Sequence, residues 1–402
     1  MEGGDCIVID AGSASVKAGY SGEDTPRSVF PSIILDDGGP PASVARRRAP
    51  ANGGKASAMS TSSGGRRAES AEFHFDSAAS HPIQHGVVLE GNWEKMEHLW
   101  DLTFGTYLKQ YPEAVSTGGS NTHGHGYAVL LAEAPGTPAA ARERAAQIMF
   151  ETFKVPAICF FNSASLSLFA SGRTRGIVLE CGAGAAHAVP VFEGFALAHA
   201  VLRSELAGQD VTAALSANLR RAGHALPFDV VREMKEKLCR VSPRDSPAEP
   251  GGSLDVVEYE LPDGTMVRVA AQAVSAAPQV LFAGRGDELP LHELVARAVA
   301  MCDRDFQLDL RAAVVLAGGT TMLPGLCDRL QAELADALPP GPLRVVPGPH
   351  PTGAAERGYN AQRKWAAWIG GSMFASLETF KQCAVTKQEW EDDESIVHRK
   401  AF

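Results

Sequence analysis

Two segments decide the fold of this chain: CIVIDAGSASVKAGY at residues 6–20 and GIVLECGAGAAHAVPVF at residues 176–192. Each reads as an apolar strand that ends in a carboxylate, Asp10 or Glu180, followed by a turn of small residues and a second apolar strand. Small residues in such a turn permit a sharp reversal and a close approach of the backbone to a ligand. Because the two matching hairpins lie a whole domain length apart, the sequence predicts a duplicated two-lobe fold with a ligand between the lobes.

Length, charge and cysteine content set wider bounds. The chain has 402 residues, so two domains or one split two-lobed unit are expected. No apolar run is long enough to cross a bilayer, and a net charge of −10 argues against general nucleic-acid binding. The seven cysteines are scattered without a C-x-x-C pair, and the first residues carry no secretion signal. These features predict a soluble protein of a reducing compartment, the cytoplasm.

Glycine and proline mark inserted loops. The chain has 40 Gly and 25 Pro, and the excess over an ordinary composition is concentrated at residues 36–80, 242–252 and 347–358. Residues 36–80 are rich in Ala, Ser and Gly, so they bury too little apolar surface to offset chain entropy and are expected to be mobile. Two arginine clusters in this stretch leave a nuclear-targeting signal as the alternative to a solvated loop.

The pattern between these loops is mixed α/β. Helical periodicity predicts helices over residues 142–153, 228–241 and 291–306. Two alternating runs around a Pro-Asp-Gly turn predict a β-hairpin over residues 256–269. Helices and strands that alternate in this way are typical of an α/β fold.

A third glycine-rich junction follows the predicted strand at residues 312–317. The turn Gly318-Gly319-Thr320-Thr321 leads into a predicted helix over residues 326–338. Such a junction offers free backbone N–H groups and a positive helix end, which suit a phosphate or a ribose. With the two hairpins, it predicts an amide nest around a polyphosphate and carboxylates that hold a hydrated magnesium ion.

At this point the sequence resembles the actin family over most of its length. The matching segments are residues 7–31, 147–153, 166–178, 187–200, 234–239, 316–325 and 368–372, with the C-terminal run at 395–400. The resemblance implies an α/β, actin-like ATPase fold, a duplicated two-lobe architecture with a central nucleotide cleft. The Ala-rich, remodelled loops make the chain look like a divergent actin-related protein, similar to the vertebrate testis type.

The resemblance also implies how the chain is divided. The first lobe core would comprise residues 1–31, 82–175 and 366–402, with a divergent, partly disordered insertion at 32–81. The second lobe core would comprise residues 176–206 and 290–365, with a smaller subdomain at 207–289.

Site residues carry over by position as implied by the resemblance. Asp10, with Glu180 in a second-shell role, would hold Mg, while ATP or ADP would be the nucleotide. The residues implied to contact that nucleotide are Asp10, Gly12, Ser13, Lys17, Gly182, Gly184, Lys235, Glu236, Gly319, Thr320, Met322 and Lys364. A solvated helix or strand face is the alternative for Lys235, Glu236 and Lys364.

Departures from the family pattern predict slow or absent hydrolysis. Ser163 stands where actin positions its attacking water with a Gln, and a Ser hydroxyl stops roughly 3 Å short of a Gln amide. Glu180 and Ala183 stand where actin has two Asp residues, so one carboxylate is lost. His187 remains, and a lone His without those partners is more often packed structure than catalysis. Because phosphoryl transfer depends on water positioning and charge placement, we expect nucleotide binding to be weakened or structural.

Self-assembly and partner binding are predicted from two further comparisons with the family. The pointed-end loop is replaced by residues 36–80 and the apolar plug by residues 281–288, which argues against a homopolymer. A groove suited to an amphipathic helix is better preserved, with core packing as the alternative for Phe374 and Leu377. The groove residues are Phe169, Ala170, Gly172, Thr174, Met373, Phe374, Leu377 and Thr379.

Three functions follow from these features. The favoured one is a structural actin-related protein that acts as a subunit or scaffold in a cytoskeletal assembly, with actin-binding proteins and other actin-related subunits as partners. The alternatives are a polymerising actin-like ATPase and a small-molecule kinase of the same broad fold. The kinase is disfavoured because the actin-like C-terminus is nearly intact and no acceptor-binding motif is visible.

Overall fold

The computed structural model describes residues 6–35, 79–113, 126–244, 256–261, 263–348 and 354–401. Its strands are Cys6–Ala11 (β1), Ser15–Tyr20 (β2), Ser28–Pro31 (β3), Ile34–Leu35 (β4), Ala79–Ser80 (β5), Ile83–Gln84 (β6), Val87–Val88 (β7), Ala128–Glu133 (β8), Ala157–Asn162 (β9), Gly176–Cys181 (β10), Ala186–Phe192 (β11), Phe195–Ala196 (β12), Leu202–Ser204 (β13), Val256–Glu260 (β14), Met266–Ala270 (β15), Val314–Ala317 (β16), Val345–Val346 (β17) and Val385–Thr386 (β18).

Helices cover the sheets and fill the connections between strands. The α-helices are Trp93–Asp101 (α1), Ala139–Glu151 (α2), Ser163–Ala170 (α3), Gly208–Arg221 (α4), Phe228–Leu238 (α5), Ala271–Ala276 (α6), Val280–Ala283 (α7), Leu291–Met301 (α8), Arg304–Arg311 (α9), Leu326–Ala337 (α10), Ala354–Gln362 (α11), Ala366–Ala375 (α12), Phe380–Cys383 (α13), Lys387–Asp392 (α14) and Ile396–Arg399 (α15). A π-type segment, Leu102–Leu108, continues α1, and the short 3-10 turns include Gly319–Met322 and Arg363–Trp365. No helix in the described ranges is long and apolar enough to cross a membrane.

Two mixed sheets form the framework of the described residues. The first has the order β18-β9-β8-β1-β2-β3, and the second has the order β12-β11-β10-β16-β17 with β13 on β11. In the first sheet β1 pairs antiparallel with β2 and parallel with β8. In the second sheet β10 pairs antiparallel with β11 and parallel with β16. The same local arrangement thus occurs twice, and the predicted mixed α/β fold class is confirmed.

The central strands consist of apolar residues, and they are buried on both faces of their sheets. Ile7, Val8 and Ile9 on β1 and Ile177, Val178 and Leu179 on β10 are all fully buried. A continuous apolar run of this kind is typical of parallel strands that have both faces covered. Each hairpin turn therefore leaves the end of a rigid, buried strand.

Helices α3 and α12 cross so closely that position 370 of α12 has room only for glycine. A Cβ atom built on Gly370 of α12 would lie 1.9 Å from the carbonyl oxygen of Leu166 on α3. Trp368 on α12 donates from its indole Nε1 to the carbonyl oxygen of Val8 on β1 at 3.0 Å. Helix α12, which follows the last strand of the second sheet, is therefore packed tightly against the first sheet.

Several predicted elements differ from those observed. The helix expected over 291–306 is wrong, because α8 ends at Met301 and α9 begins at Arg304 after an extended backbone at Cys302 and Asp303. Residues 354–358 were expected in a loop, but they begin α11. The hairpin at 256–269 is confirmed as β14 and β15, with Tyr259 paired to Val267. The mobility expected for residues 36–80 lies almost wholly outside the described residues, while Ser80 pairs with Ile34.

Candidate functional site

The turns of the two hairpins meet between the sheets. A Cβ atom on Gly184 would lie 2.8 Å from Ser13 Oγ, so only glycine fits at this point of contact. The backbone N–H of Gly86, in the turn between β6 and β7, donates to Ser13 Oγ at 2.8 Å. The ring Nδ1 of His85 lies 2.9 Å from the carbonyl oxygen of Gly184. The His85–Gly86 turn thus bridges the two hairpins. The sequence did not predict this role, and the only signal for it was a His-Gly pair typical of a tight turn.

Four polar side chains gather where the hairpin strands end. Lys17 Nζ lies 3.1 Å from the Asp10 carboxylate, and the two residues face each other in the β1–β2 register. Ser163 Oγ, at the start of α3, donates to Glu180 Oε2 at 2.7 Å. Asp10 and Lys17, the predicted magnesium and phosphate residues, therefore lie near Glu180 of the second hairpin and near Ser163 of α3, which bonds to it.

The pKa of the Glu180 carboxyl depends on its burial and on charged residues of the first hairpin. Desolvation raises the pKa of Glu180 to about 7 and the negative charge of Asp10 adds to this, while the Ser163 hydrogen bond and Lys17 oppose it. The negative charge of Asp10 beside the buried Glu180 carboxyl is one that a divalent cation would neutralise. Carboxylate oxygens are among the donors that Mg²⁺ prefers, so the chemistry of these two residues suits a magnesium ion.

The turn of the second hairpin, at residues 182–184, is stabilised by hydrogen bonds to its carbonyl oxygens. Gly182 O accepts from Gly208 N at 3.1 Å and from Thr320 Oγ1 at 2.7 Å. Ala183 O accepts from Gln209 N at 2.8 Å. These contacts bring the turn, the first residues of α4 and the Gly319–Met322 segment into one unit.

Lys235 is part of the same unit. Its ammonium donates to Gly208 O at 3.1 Å, and burial lowers its pKa. The solvated-face alternative is therefore wrong for Lys235, which is only 8% exposed. Glu236 and Lys364 are exposed, and Lys364 Nζ lies 4.4 Å from the ring centroid of Trp365.

The Gly318–Met322 segment is fixed by sterics and by a buried arginine. Gly318 has φ +88°, and a Cβ there would lie 2.4 Å from Cys181 O, so glycine is required. Arg363 donates to Thr321 O at 2.7 Å and to Thr321 Oγ1 at 3.2 Å. Sequence reasoning missed Arg363, since nothing in its local pattern marks a buried arginine. Gly319 itself is exposed and Met322 is half-buried.

His187 is buried opposite Glu180 in the β10–β11 register. Desolvation lowers its pKa from 6.5 to about 4, and the positive charge of Arg203 adds to this. The folded state therefore holds the imidazole neutral at pH values where the unfolded chain would protonate it.

We expect the His187 imidazole to make folding stability depend on pH between about 6.5 and 4. Because the unfolded chain binds the extra proton, its contribution is complete above pH 6.5 and is lost by about 1.4 kcal/mol per pH unit below it. Chemical unfolding of the wild type and of His187→Gln across this range measures the effect, and the difference between the two proteins should change with pH. The exposed His199→Gln variant is the control, and a pH-independent difference for His187→Gln would contradict the expectation.

The predicted partner groove combines packed and exposed apolar side chains. Phe374 is half-buried, and its ring centroid lies 4.6 Å from that of Phe161. Met373 is 50% exposed and Leu377 is 56% exposed, so core packing is wrong for Leu377. Phe161 also packs edge-on against Phe169 at 5.9 Å, and Thr174 is exposed nearby in sequence. The phenylalanines thus form a floor, with two accessible apolar side chains on α12 and just after it.

A family model described as Actin matches this chain over residues 1–227 and 227–402. The two matches together cover every strand of both sheets and all the site residues described above.

Proposed function

The chain belongs to the actin family, and from that premise we propose that it is a structural member that binds ATP or ADP with Mg but hydrolyses ATP slowly or not at all. Family membership implies a cytoskeleton-related, nucleotide-binding role. The finer proposal is that this protein serves as a subunit or scaffold in a cytoplasmic cytoskeletal assembly. We group it with divergent, testis-type actin-like proteins on the Ala-rich stretch at residues 36–80.

The hydrogen bond between Ser163 and Glu180 carries the proposal of slow hydrolysis. At 2.7 Å the Ser163 hydroxyl proton is held by the Glu180 carboxylate, so the hydroxyl cannot donate to a water, and its oxygen ends short of the point that a Gln amide would reach. Ala183 places no carboxylate on the second turn. Water positioning and charge placement are the two contributions that a phosphoryl-transfer site supplies, and both are reduced here.

Nucleotide binding is supported by the polar and charged side chains at the two turns. The Lys17 ammonium beside Asp10 and the Ser13 hydroxyl lie at the meeting point of the two turns, where phosphate oxygens would need donors. Asp10 and Glu180 would hold the magnesium ion, which when bound neutralises charge on the phosphates. Lys235, Thr320, Met322 and Gly319 form the adjoining wall proposed for the nucleoside.

A scaffold without strong self-assembly is supported by the small apolar side of residues 281–288. Leu281 and Phe282 are buried in the second core, and residues 284–288 are Gly-Arg-Gly-Asp-Glu. No apolar plug is therefore available from this loop to bury area in a filament contact. The groove around Phe374, Met373 and Leu377 offers an apolar surface for an amphipathic helix of an actin-binding partner.

We expect Mg-ATP to raise the thermal unfolding midpoint of the wild type, because a ligand that binds only the folded state stabilises it. Lys17→Met removes one charge-assisted phosphate contact and should weaken the affinity about tenfold. Differential scanning fluorimetry across a range of ATP concentrations measures both effects, and phosphate release in the same samples should stay at the background rate.

The control for this experiment is Lys95→Met, which removes an exposed lysine on α1. Its response to Mg-ATP should equal that of the wild type. An unfolding midpoint that ignores Mg-ATP in the wild type would contradict nucleotide binding. Rapid phosphate release, or long filaments that sediment in Mg-ATP, would favour the polymerising ATPase instead.

A further inference from the structure

The loop at residues 284–288 is closed by its own backbone. Arg285 N donates to Glu288 O at 3.3 Å, and Glu288 N donates to Arg285 O at 3.0 Å, with Gly286 and Asp287 between them. Gly286 has φ +58° and Gly284 has φ +73°, conformations that favour glycine. The sequence Gly-Arg-Gly-Asp-Glu therefore builds a tight turn whose two end residues, Arg285 and Glu288, project from a fixed base.

Both end residues anchor the segment at residues 204–210. Glu288 Oε2 accepts from the backbone N–H of Glu205 at 2.6 Å and from Ser204 Oγ at 2.9 Å. Arg285 Nη1 lies 2.6 Å from Asp210 Oδ1. The other Asp210 oxygen accepts from Ala207 N at 3.0 Å. The segment is thus held near both of its ends, and hydrogen bonds to a carboxylate are among the stronger ones in proteins.

The anchored segment is the one that supports the second hairpin turn. Its Gly208 and Gln209 amides donate to the carbonyl oxygens of Gly182 and Ala183. A Cβ on Gly208 would lie 2.4 Å from Thr320 Oγ1, so only glycine fits where the segment passes Thr320. A displacement of residues 204–210 would therefore be transmitted to the turn at 182–184.

We infer that Glu288, assisted by Arg285, is a positioning residue for the phosphate-facing turn at residues 182–184. The inference rests on the proposed nucleotide binding for its effect on affinity, but the clamp itself exists without a ligand. The loop at residues 284–288, which lacks an apolar plug, here acts as an internal clamp on the nucleotide site. Glu288 carries the larger share because it is partly buried and accepts two hydrogen bonds, whereas Arg285 is 61% exposed and its ion pair is screened by solvent.

The test uses the full chain and two readouts. Amide hydrogen exchange in the nucleotide-free protein, followed by mass spectrometry on peptides that span residues 205–211, reports the clamp. The dissociation rate of a fluorescent ATP analogue bound with Mg reports the site. We expect Glu288→Ala to speed both by about tenfold, and Arg285→Ala to speed both by about two- to threefold.

Glu293→Ala is the matched control, because the Glu293 side chain on α8 is 44% exposed and pairs at 2.9 Å with Arg297 one turn further along the same helix. Neither readout should change in that variant. Ser204→Ala removes the hydroxyl that donates to Glu288, and with it the contacts of that hydroxyl to Leu289 O at 3.1 Å and from Leu206 N at 3.2 Å. It replaces Glu288→Ala should that variant fail to fold, with exchange then read at residues 207–211, and both rates should rise by a smaller factor.

Unchanged exchange in Glu288→Ala and Ser204→Ala would overturn the clamp. Faster exchange with an unchanged dissociation rate would overturn the positioning role. A wild type that binds no nucleotide would contradict the proposed function, while the exchange measurement would still decide whether Glu288 holds the segment.

Discussion

Replacement of Ser163 by Gln together with Ala183 by Asp is expected to raise the rate of phosphate release from ATP by about 10²-fold or more. Ser163 now donates to Glu180 at 2.7 Å, and its side chain ends well short of the point that a Gln amide would reach. Asp at position 183 returns a carboxylate to a turn whose carbonyl is already fixed by Gln209. The two changes therefore restore a group that orients water and a charge beside it. Single-turnover phosphate release by the purified variants measures the gain.

The matched control is Ser163→Asn combined with Ala183→Asp. Asn carries the same amide as Gln on a side chain that is one methylene shorter, so it should not place water correctly and should leave the rate near that of the wild type. An equal gain from Asn and Gln would show that reach is not the deficit. A rate that stays at background in the Gln variant, with nucleotide bound, would place the loss of activity elsewhere in the site.

The largest expected effect on stability comes from Gly370→Ala at the crossing of α12 and α3. The added Cβ would meet the carbonyl oxygen of Leu166 at 1.9 Å and its carbonyl carbon at 2.5 Å. These are backbone atoms of a buried helix, so neither partner can rotate away and the helices must separate. Overpacking of this kind should lower the free energy of unfolding by about 3 kcal/mol, which denaturant unfolding of the purified variant measures.

Gly358→Ala is the natural comparison, because Gly358 lies inside α11 and a Cβ there meets nothing within 4 Å. That substitution should raise stability by about 0.5–1 kcal/mol, since alanine loses less backbone entropy than glycine in a helix. Equal destabilisation by both substitutions would show that the crossing at Leu166 does not set the effect.

Local sequence was most informative where one chain segment contains the whole structural unit. An apolar strand, a small-residue turn and a second strand are contiguous at residues 6–20 and at 176–192, so both hairpins could be predicted. Helix ends were harder, because the break at Cys302 and Asp303 depends on backbone angles that helical periodicity does not encode. The predicted departures from the family pattern, Ser163 and Ala183, rest on the sequence alone.

The contacts that complete the site could not be predicted in the same way. His85 reaches Gly184, Lys235 is buried against Gly208, and Arg363 holds Thr321, although each pair is far apart in the chain. A solvated lysine and a buried one look alike in sequence, since burial depends on which distant segment covers the side chain. The same holds for Glu288, whose role is defined only by the backbone N–H and hydroxyl that it meets.

The sequence by itself determined the mixed α/β framework and the actin-family resemblance, and it predicted that Ser163 and Ala183 stand where the family has a Gln and an Asp. These features are written in short, contiguous segments whose apolar periodicity and turn residues fix local structure. Only the tertiary structure decided which side chains close around the turns, how the loop at 284–288 holds residues 204–210, and why Gly370 admits no side chain. Those outcomes depend on the packing of segments that are distant in sequence, where a few tenths of an ångström separate a contact from a clash.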